Sequence, residues 1–107
     1  MQRIEELSVQ QLKGRLDRGE EVFLLDVREP FEAELANLSG LLIPLGELAA
    51  RFNELDSTRE IVVYCHHGNR SRYAAEFLQR QGFGRVKNLT GGIDAWSIQI
   101  EPTMPRY

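Results

Sequence analysis

Four consecutive strand-forming residues, Ile61-Val62-Val63-Tyr64, run directly into Cys65-His66-His67-Gly68-Asn69-Arg70-Ser71 and then into a helical stretch that begins Arg72-Tyr73-Ala74-Ala75. A wholly apolar strand followed by a short polar loop and a helix points to a parallel α/β sheet. Such a strand is covered on both faces, and helices are what cover it. The same junction restricts where chemistry can occur. It aims successive backbone N–H groups and a helix N-terminus at one point, and an anion at that point is stabilised. The thiol of Cys65 stands there, in a setting that favours its thiolate and any anionic sulfur species joined to it.

The flanking segments repeat the alternation. Ser8 followed by Gln11 has the form of a capping box, and Val9, Leu12 and Leu16 form an apolar stripe that Gly19 closes. Val22 to Leu25 reads as a buried strand running into Asp26-Val27-Arg28-Glu29-Pro30, with Pro30 opening a short helix through Glu34. Leu41-Leu42-Ile43 reads as a strand, Gly46 to Leu55 as a helix, and Val86 to Leu89 as a last strand. Gly91-Gly92 opens a helix holding Ile93, Ala95 and Trp96. The helix after the cysteine loop is expected from about Ser71 to Gln81, capped by Ser71 and stopped by Gly82. The tail from Ile98 to Tyr107 carries Pro102 and Pro105 and is expected to pack as extended chain. The expected fold is therefore a single α/β domain over residues 1–107, with a central parallel sheet and helices on both faces. Ligands in such folds gather beyond the carboxyl ends of the strands, and Cys65 follows one directly.

Charge and cysteine count bound the partners. Thirteen basic and 16 acidic residues are mixed along the 107, for a net charge of −3, which leaves no footprint of nucleic-acid or anionic-membrane binding. No segment has the apolar length of a membrane span or a signal peptide, so a cytoplasmic address is expected. Cys65 is the one cysteine. No internal disulfide forms, and no second thiol resolves a sulfur-loaded Cys65, so turnover needs an outside thiol or acceptor.

Around Cys65 the nearby cations are Arg70, Arg72 and, when protonated, His66 or His67. Gly68 allows a backbone turn that a side chain would obstruct, and Asn69 is a second residue tolerant of unusual dihedrals. Neighbours such as Cys65, His66 and His67 rarely aim at one tetrahedral ion, and no distant Cys or His completes a set. The two histidines therefore read as exposed loop side chains that border the pocket and meet substrate or partner, and no metal or cofactor is expected. Spacing then separates two chemistries. Phosphatases and arsenate reductases of related architecture use Cys-x5-Arg. Here Cys65 and Arg70 are one residue closer, a ring better sized for a single sulfur than for a phosphate.

These residues resemble the rhodanese-like sulfurtransferases over nearly the whole chain. The motifs that carry the likeness are DVREPFE (26–32), Ile43-Pro44-Leu45, IVVYCHHGNRS (61–71), Gly82-Phe83 and NLTGGIDAW (88–96). The ending EPTMPRY (101–107) is similar to rhodanese domains fused to adenylyltransferases that activate small sulfur-carrier proteins. The resemblance implies that Cys65 takes the outer sulfur of thiosulfate or a similar donor and becomes a persulfide. It places that anion among the backbone N–H groups of residues 66–71, with Arg70 helping to bind the donor. Acceptors would be cyanide, a small thiol or a protein thiol, including a sulfur-carrier protein. Asp26 and Arg28 would help to fix the active-site loop, the plainer alternative being a surface ion pair.

Two departures stand out. Ala36 to Leu41 replaces a Gly-His-Ile-x-Gly-Ala pattern, which predicts altered packing there. His66 and His67 stand where many thiosulfate-using members carry arginine or lysine, so a protein-bound persulfide competes with thiosulfate as the expected donor. The alternatives to an enzyme of this kind are an interaction module that keeps the fold and works by docking, and, less favoured by loop length, a phosphatase or arsenate reductase.

Overall fold

A computed structural model describes residues 3–107. Five parallel strands form one sheet in the order β1-β5-β4-β2-β3. They span β1 Glu5–Leu7, β2 Phe23–Asp26, β3 Leu41–Leu42, β4 Ile61–Tyr64 and β5 Val86–Leu89. The helices are α1 Val9–Asp17, α2 Pro30–Leu35, α3 Leu48–Arg51, α4 Asn69–Arg80 and α5 Gly92–Gln99. The α/β architecture expected from the alternation of segments is the one observed.

Strand β4 shows why. All four of its residues are buried, and their side chains alternate between two cores. Ile61 and Val63 face one cluster with Ala74, Ala75 and Leu78 of α4 and Leu48 of α3. Val62 and Tyr64 face the other, with Val9 and Leu12 of α1 and Ile93 and Trp96 of α5. Cys65 continues the Ile61/Val63 series, so the period of two turns its thiol toward α4.

Several local expectations hold in detail. Ser8 Oγ accepts from the Gln11 N–H at 3.0 Å while Gln11 Oε1 accepts from the Ser8 N–H at 2.8 Å, completing the capping box of α1. Gly19 and Gly82 both take positive φ just past their helices, +79° and +95°.

Others are corrected. Residues Glu5–Leu7 form an edge strand that polar Glu5 and Glu6 conceal from any periodicity test; β1 exists because β5 offers it a partner, with Leu7 opposite Leu89. Leu16 is 39% exposed and leaves the α1 stripe. The segment 46–55 is not one helix: 3-10 turns at Leu45–Glu47 and Phe52–Glu54 flank the single turn of α3. The tail is not extended from Ile98, because α5 runs to Gln99 and a turn follows, with the Met104 N–H donating to Glu101 C=O. Ser97 Oγ then donates to Met104 C=O at 2.7 Å and folds the tail back over the domain.

The sheet order positions the site. From β2 the chain leaves toward β3 on one side, and from β4 it leaves toward β5 on the other. Adjacent strands whose connections depart in opposite directions open a crevice at their carboxyl ends. Asp26 and Tyr64, paired in register, close β2 and β4 at that crevice, and Cys65 and Arg28 follow them.

Candidate active site

The loop 65–68 is held by two helix N-termini. Gly68, at φ +108°, caps α4, and the first turn of that helix lies against the sulfur. The Gly68 and Ser71 N–H groups both donate to Cys65 Sγ, at 3.2 and 3.3 Å. From the other side, the Ile93 and Asp94 N–H groups of α5 donate to the carbonyls of Cys65 and His66, each at 3.0 Å. Helix α5 thus draws the loop carbonyls away from the sulfur, and α4 presents its amides to it. An anionic sulfur here meets two backbone donors, the electrostatic pattern of an anion nest.

Ser71 does not cap α4, contrary to the expectation from its place before Arg72. The helix begins two residues earlier, because Gly68 adopts the left-handed conformation at the cap. Ser71 instead lies fully buried in the first turn, where the Cys65 thiol donates to its Oγ at 3.4 Å and its own hydroxyl donates to Asn88 Oδ1. Asn88 Nδ2 donates in turn to Gly68 C=O at 3.2 Å. Asn69 has ordinary helical dihedrals and is exposed, so it supplies no unusual turn. Asn88 escaped the sequence reading. The available signal was an asparagine, a poor strand former, inside a strand expected to be buried.

Gly92 keeps this arrangement tight. At φ +62°, a Cβ there would stand 2.5 Å from the carbonyl oxygens of both Cys65 and His66. Gly92→Ala is expected to destabilise the fold by about 1–3 kcal/mol in urea unfolding, from backbone strain and this collision. It should also slow any reaction of Cys65. Gly84→Ala, with nothing within 4 Å of its Cβ, is the neutral control. Equal stability of the two variants would show that α5 does not constrain the loop.

The charged residues near the loop are paired. Arg28 is completely buried, which corrects the alternative of a surface ion pair with Asp26. Its Nε and Nη2 donate to the two Asp26 carboxylate oxygens at 2.9 and 2.7 Å. Its other donors reach Glu32 C=O, Ala36 C=O and Tyr107 Oη, so all five N–H bonds are used. Asp26 and Arg28 hold α2 and the segment after it against the crevice, with Ala36 as the anchor of the departing stretch 36–41. There Asn37 is exposed; its Oδ1 accepts from the Ser39 N–H, and Ser39 takes φ +64°.

Arg70 does not stand open above the thiol. Its two Nη atoms donate to both oxygens of Glu32, each at 2.8 Å. That pairing holds the Glu32 carboxyl down at about 2. Tyr107, on the tail, donates to Glu32 Oε1 at 3.0 Å and stacks its ring on His66 at 3.9 Å. His66 is half-buried rather than exposed, and burial, reinforced by His67, lowers its pKa. His67 is exposed at the rim, as expected. Arg72 turns away to Glu6, at 3.3 Å.

Neither Glu32 nor Tyr107 was assigned a role from sequence, although Glu32 lies within DVREPFE and Tyr107 ends EPTMPRY. The ligand atoms of His66, His67 and Asp94 lie within 4.8 Å of one another. The geometry does not suit an ion. The two imidazoles are stacked at 3.8 Å and 29°, so their in-plane lone pairs do not converge, and Arg106 occupies the Asp94 carboxylate at 2.9 Å.

This fold and this loop are those of one family. The model of the rhodanese-like domain matches residues 8–99, and the chain belongs to that family. Among its relatives, a sulfurtransferase of Allochromatium vinosum is 38% identical over 95 residues, 88% of this chain and 89% of that protein. YrkF of Bacillus subtilis is 41% identical over 92% of this chain, which spans 54% of that protein, about half its length. The adenylyltransferase and sulfurtransferase MOCS3 of Arabidopsis thaliana is 31% identical, and the chain covers 25% of it. The crystal structure of a rhodanese-related protein from Thermoplasma volcanium matches with a TM-score of 0.80 at 32% identity, over 94% of this chain and 95% of that one. No helix among the described residues is long and apolar enough to cross a membrane.

Proposed function

We propose that the protein is a sulfurtransferase or sulfur carrier that moves sulfane sulfur through a persulfide on Cys65. The observation that carries this reading is the pair of amides, from Gly68 and Ser71, aimed at the cysteine sulfur. In the first step the Cys65 thiolate attacks the outer sulfur of the donor. A bond forms between the two sulfurs, the donor's own sulfur–sulfur or sulfur–sulfonate bond breaks, and the electron pair leaves as thiolate or sulfite. In the second step an acceptor thiolate attacks the outer persulfide sulfur and Cys65 is released as thiolate. No external oxidant or reductant enters either step. The helix α4 amides favour the anionic persulfide over its protonated form. A thiol acceptor lies outside these 107 residues, because Cys65 is their one cysteine. The relationship to a sulfurtransferase along nearly the whole length of both chains supports the reading.

The test is the mass of the intact protein after incubation with a sulfane donor. It should rise by one sulfur, about 32 Da, and return on addition of excess thiol. No gain from thiosulfate, polysulfide or glutathione persulfide would sink the proposal.

A second reading, an interaction module, is favoured by one observation. Cys65 is only 1% exposed, so a donor reaches its sulfur only if the loop admits it. A protein that never loads, yet whose Cys65→Ser variant restores growth in cells lacking it, would establish the module instead.

A further inference from the structure

Each arginine around the loop has a carboxylate partner: Arg28 with Asp26, Arg70 with Glu32, Arg72 with Glu6 and Arg106 with Asp94. The Arg70–Glu32 pair is fixed chiefly from the carboxylate side. Glu32 is 5% exposed, and it receives Arg70 through both oxygens. The Glu29 N–H, at 2.9 Å, and the Tyr107 hydroxyl, at 3.0 Å, hold the same carboxylate from two further directions. A carboxylate fixed by three partners does not swing aside when a competing anion arrives. Tyr107 is fixed as well, since its oxygen accepts from Arg28 at 3.0 Å.

We infer that Glu32 is a specificity-determining residue: by neutralising Arg70 it selects against dianionic donors and for persulfides whose reacting end is uncharged. The inference rests on the persulfide reading above and names its donor class. A dianion such as thiosulfate must give up much of its hydration at a buried sulfur, and only uncompensated positive charge repays that. Around this loop the cations are already paired with fixed anions. A protonated persulfide, R–S–S–H, brings no charge on the attacked sulfur. Thiolate Cys65 attacks its outer sulfur, the R–S bond to that sulfur breaks, and the electron pair leaves as R–S⁻. The proton passes to that thiolate, leaving R–S–H and the anionic Cys65 persulfide beneath the Gly68 and Ser71 amides. Charge is −1 before and after.

The test compares two donors on two proteins. Single-turnover loading of wild type and Glu32→Gln is followed by intact mass with thiosulfate and with glutathione persulfide. Glutamine keeps the shape and can still accept from the Glu29 N–H. Freeing the Arg70 charge should raise the ratio of thiosulfate to persulfide rate constants about tenfold, and added salt should erase most of that gain, as expected for exposed charge attraction. An unchanged or lower ratio would overturn the inference, because a purely structural role for Glu32 slows both donors together.

Where Glu32→Gln does not fold, the wild type alone decides. Thiosulfate loading that hardly varies with salt supports a charge-balanced rim, and a steep fall with salt overturns it. Wild type that loads from neither donor, nor from polysulfide, defeats the persulfide reading itself. Loading from both with no change in ratio defeats only the role of Glu32.

Discussion

Cys65→Ser should fold as the wild type does and gain no sulfur from any donor. The first half of that expectation comes from the site's own hydrogen bonds. A serine hydroxyl at position 65 would lie where the Gly68 and Ser71 N–H groups already point, so no donor is left without an acceptor. The loss of stability should stay within about 1 kcal/mol, because the buried hydroxyl keeps hydrogen-bond partners and changes the side-chain volume little. The second half is chemical: an alcohol oxygen at neutral pH does not displace thiolate or sulfite from a sulfane sulfur, and no other cysteine is present to take over. Intact-mass spectra paired with urea unfolding curves check both halves. A variant that still gains about 32 Da would place the sulfur on a residue other than Cys65.

Arg28→Met should destabilise the protein by about 3–5 kcal/mol, a larger loss than for a surface ion pair. Arg28 is wholly buried and donates five hydrogen bonds, two of them to Asp26. Removing it leaves the Asp26 carboxylate buried without a cation, takes the side-chain donor from the Ala36 carbonyl, and leaves the Glu32 carbonyl with the Ala36 N–H alone. A double variant, Asp26→Leu with Arg28→Met, should recover part of the loss, because the isolated charge is what costs most. Urea midpoints for the single and double variants decide the matter. A loss below about 1 kcal/mol for Arg28→Met would mean that water reaches Asp26 and that the pair behaves as a surface bridge. The same variant should loosen the crevice, since Arg28 joins β2, α2 and the tail residue Tyr107.

These two expectations differ in how much of them the sequence already contained. That Cys65 is held by amides follows from Ile61–Tyr64 running into a glycine-bearing loop and a helix, a local pattern read over about a dozen residues. The strands β2, β4 and β5 and the helices α1, α4 and α5 were legible from equally local signals: apolar runs for β2 and β4, the capping box and apolar stripe of α1, and glycines at the ends of α4 and α5. Edge strand β1 was not, because polar Glu5 and Glu6 give no alternation and only pairing with β5 makes them a strand. Ser71 was misplaced as a cap because serine favours that position by propensity, whereas the left-handed Gly68 starts the helix earlier and turns Ser71 inward.

What the chain's order determined by itself was the class of fold and the place of its one thiol, directly beyond a buried strand and before a helix. Tertiary structure alone decided the electrostatics around that thiol. Arg70 and Glu32 are separated by 38 positions, and Tyr107 and Glu32 by 75, so no local rule relates them. Charge pairing depends on distance in space, and it was the crossing of the chain between β2 and β4, with the tail folded back over both, that set those distances.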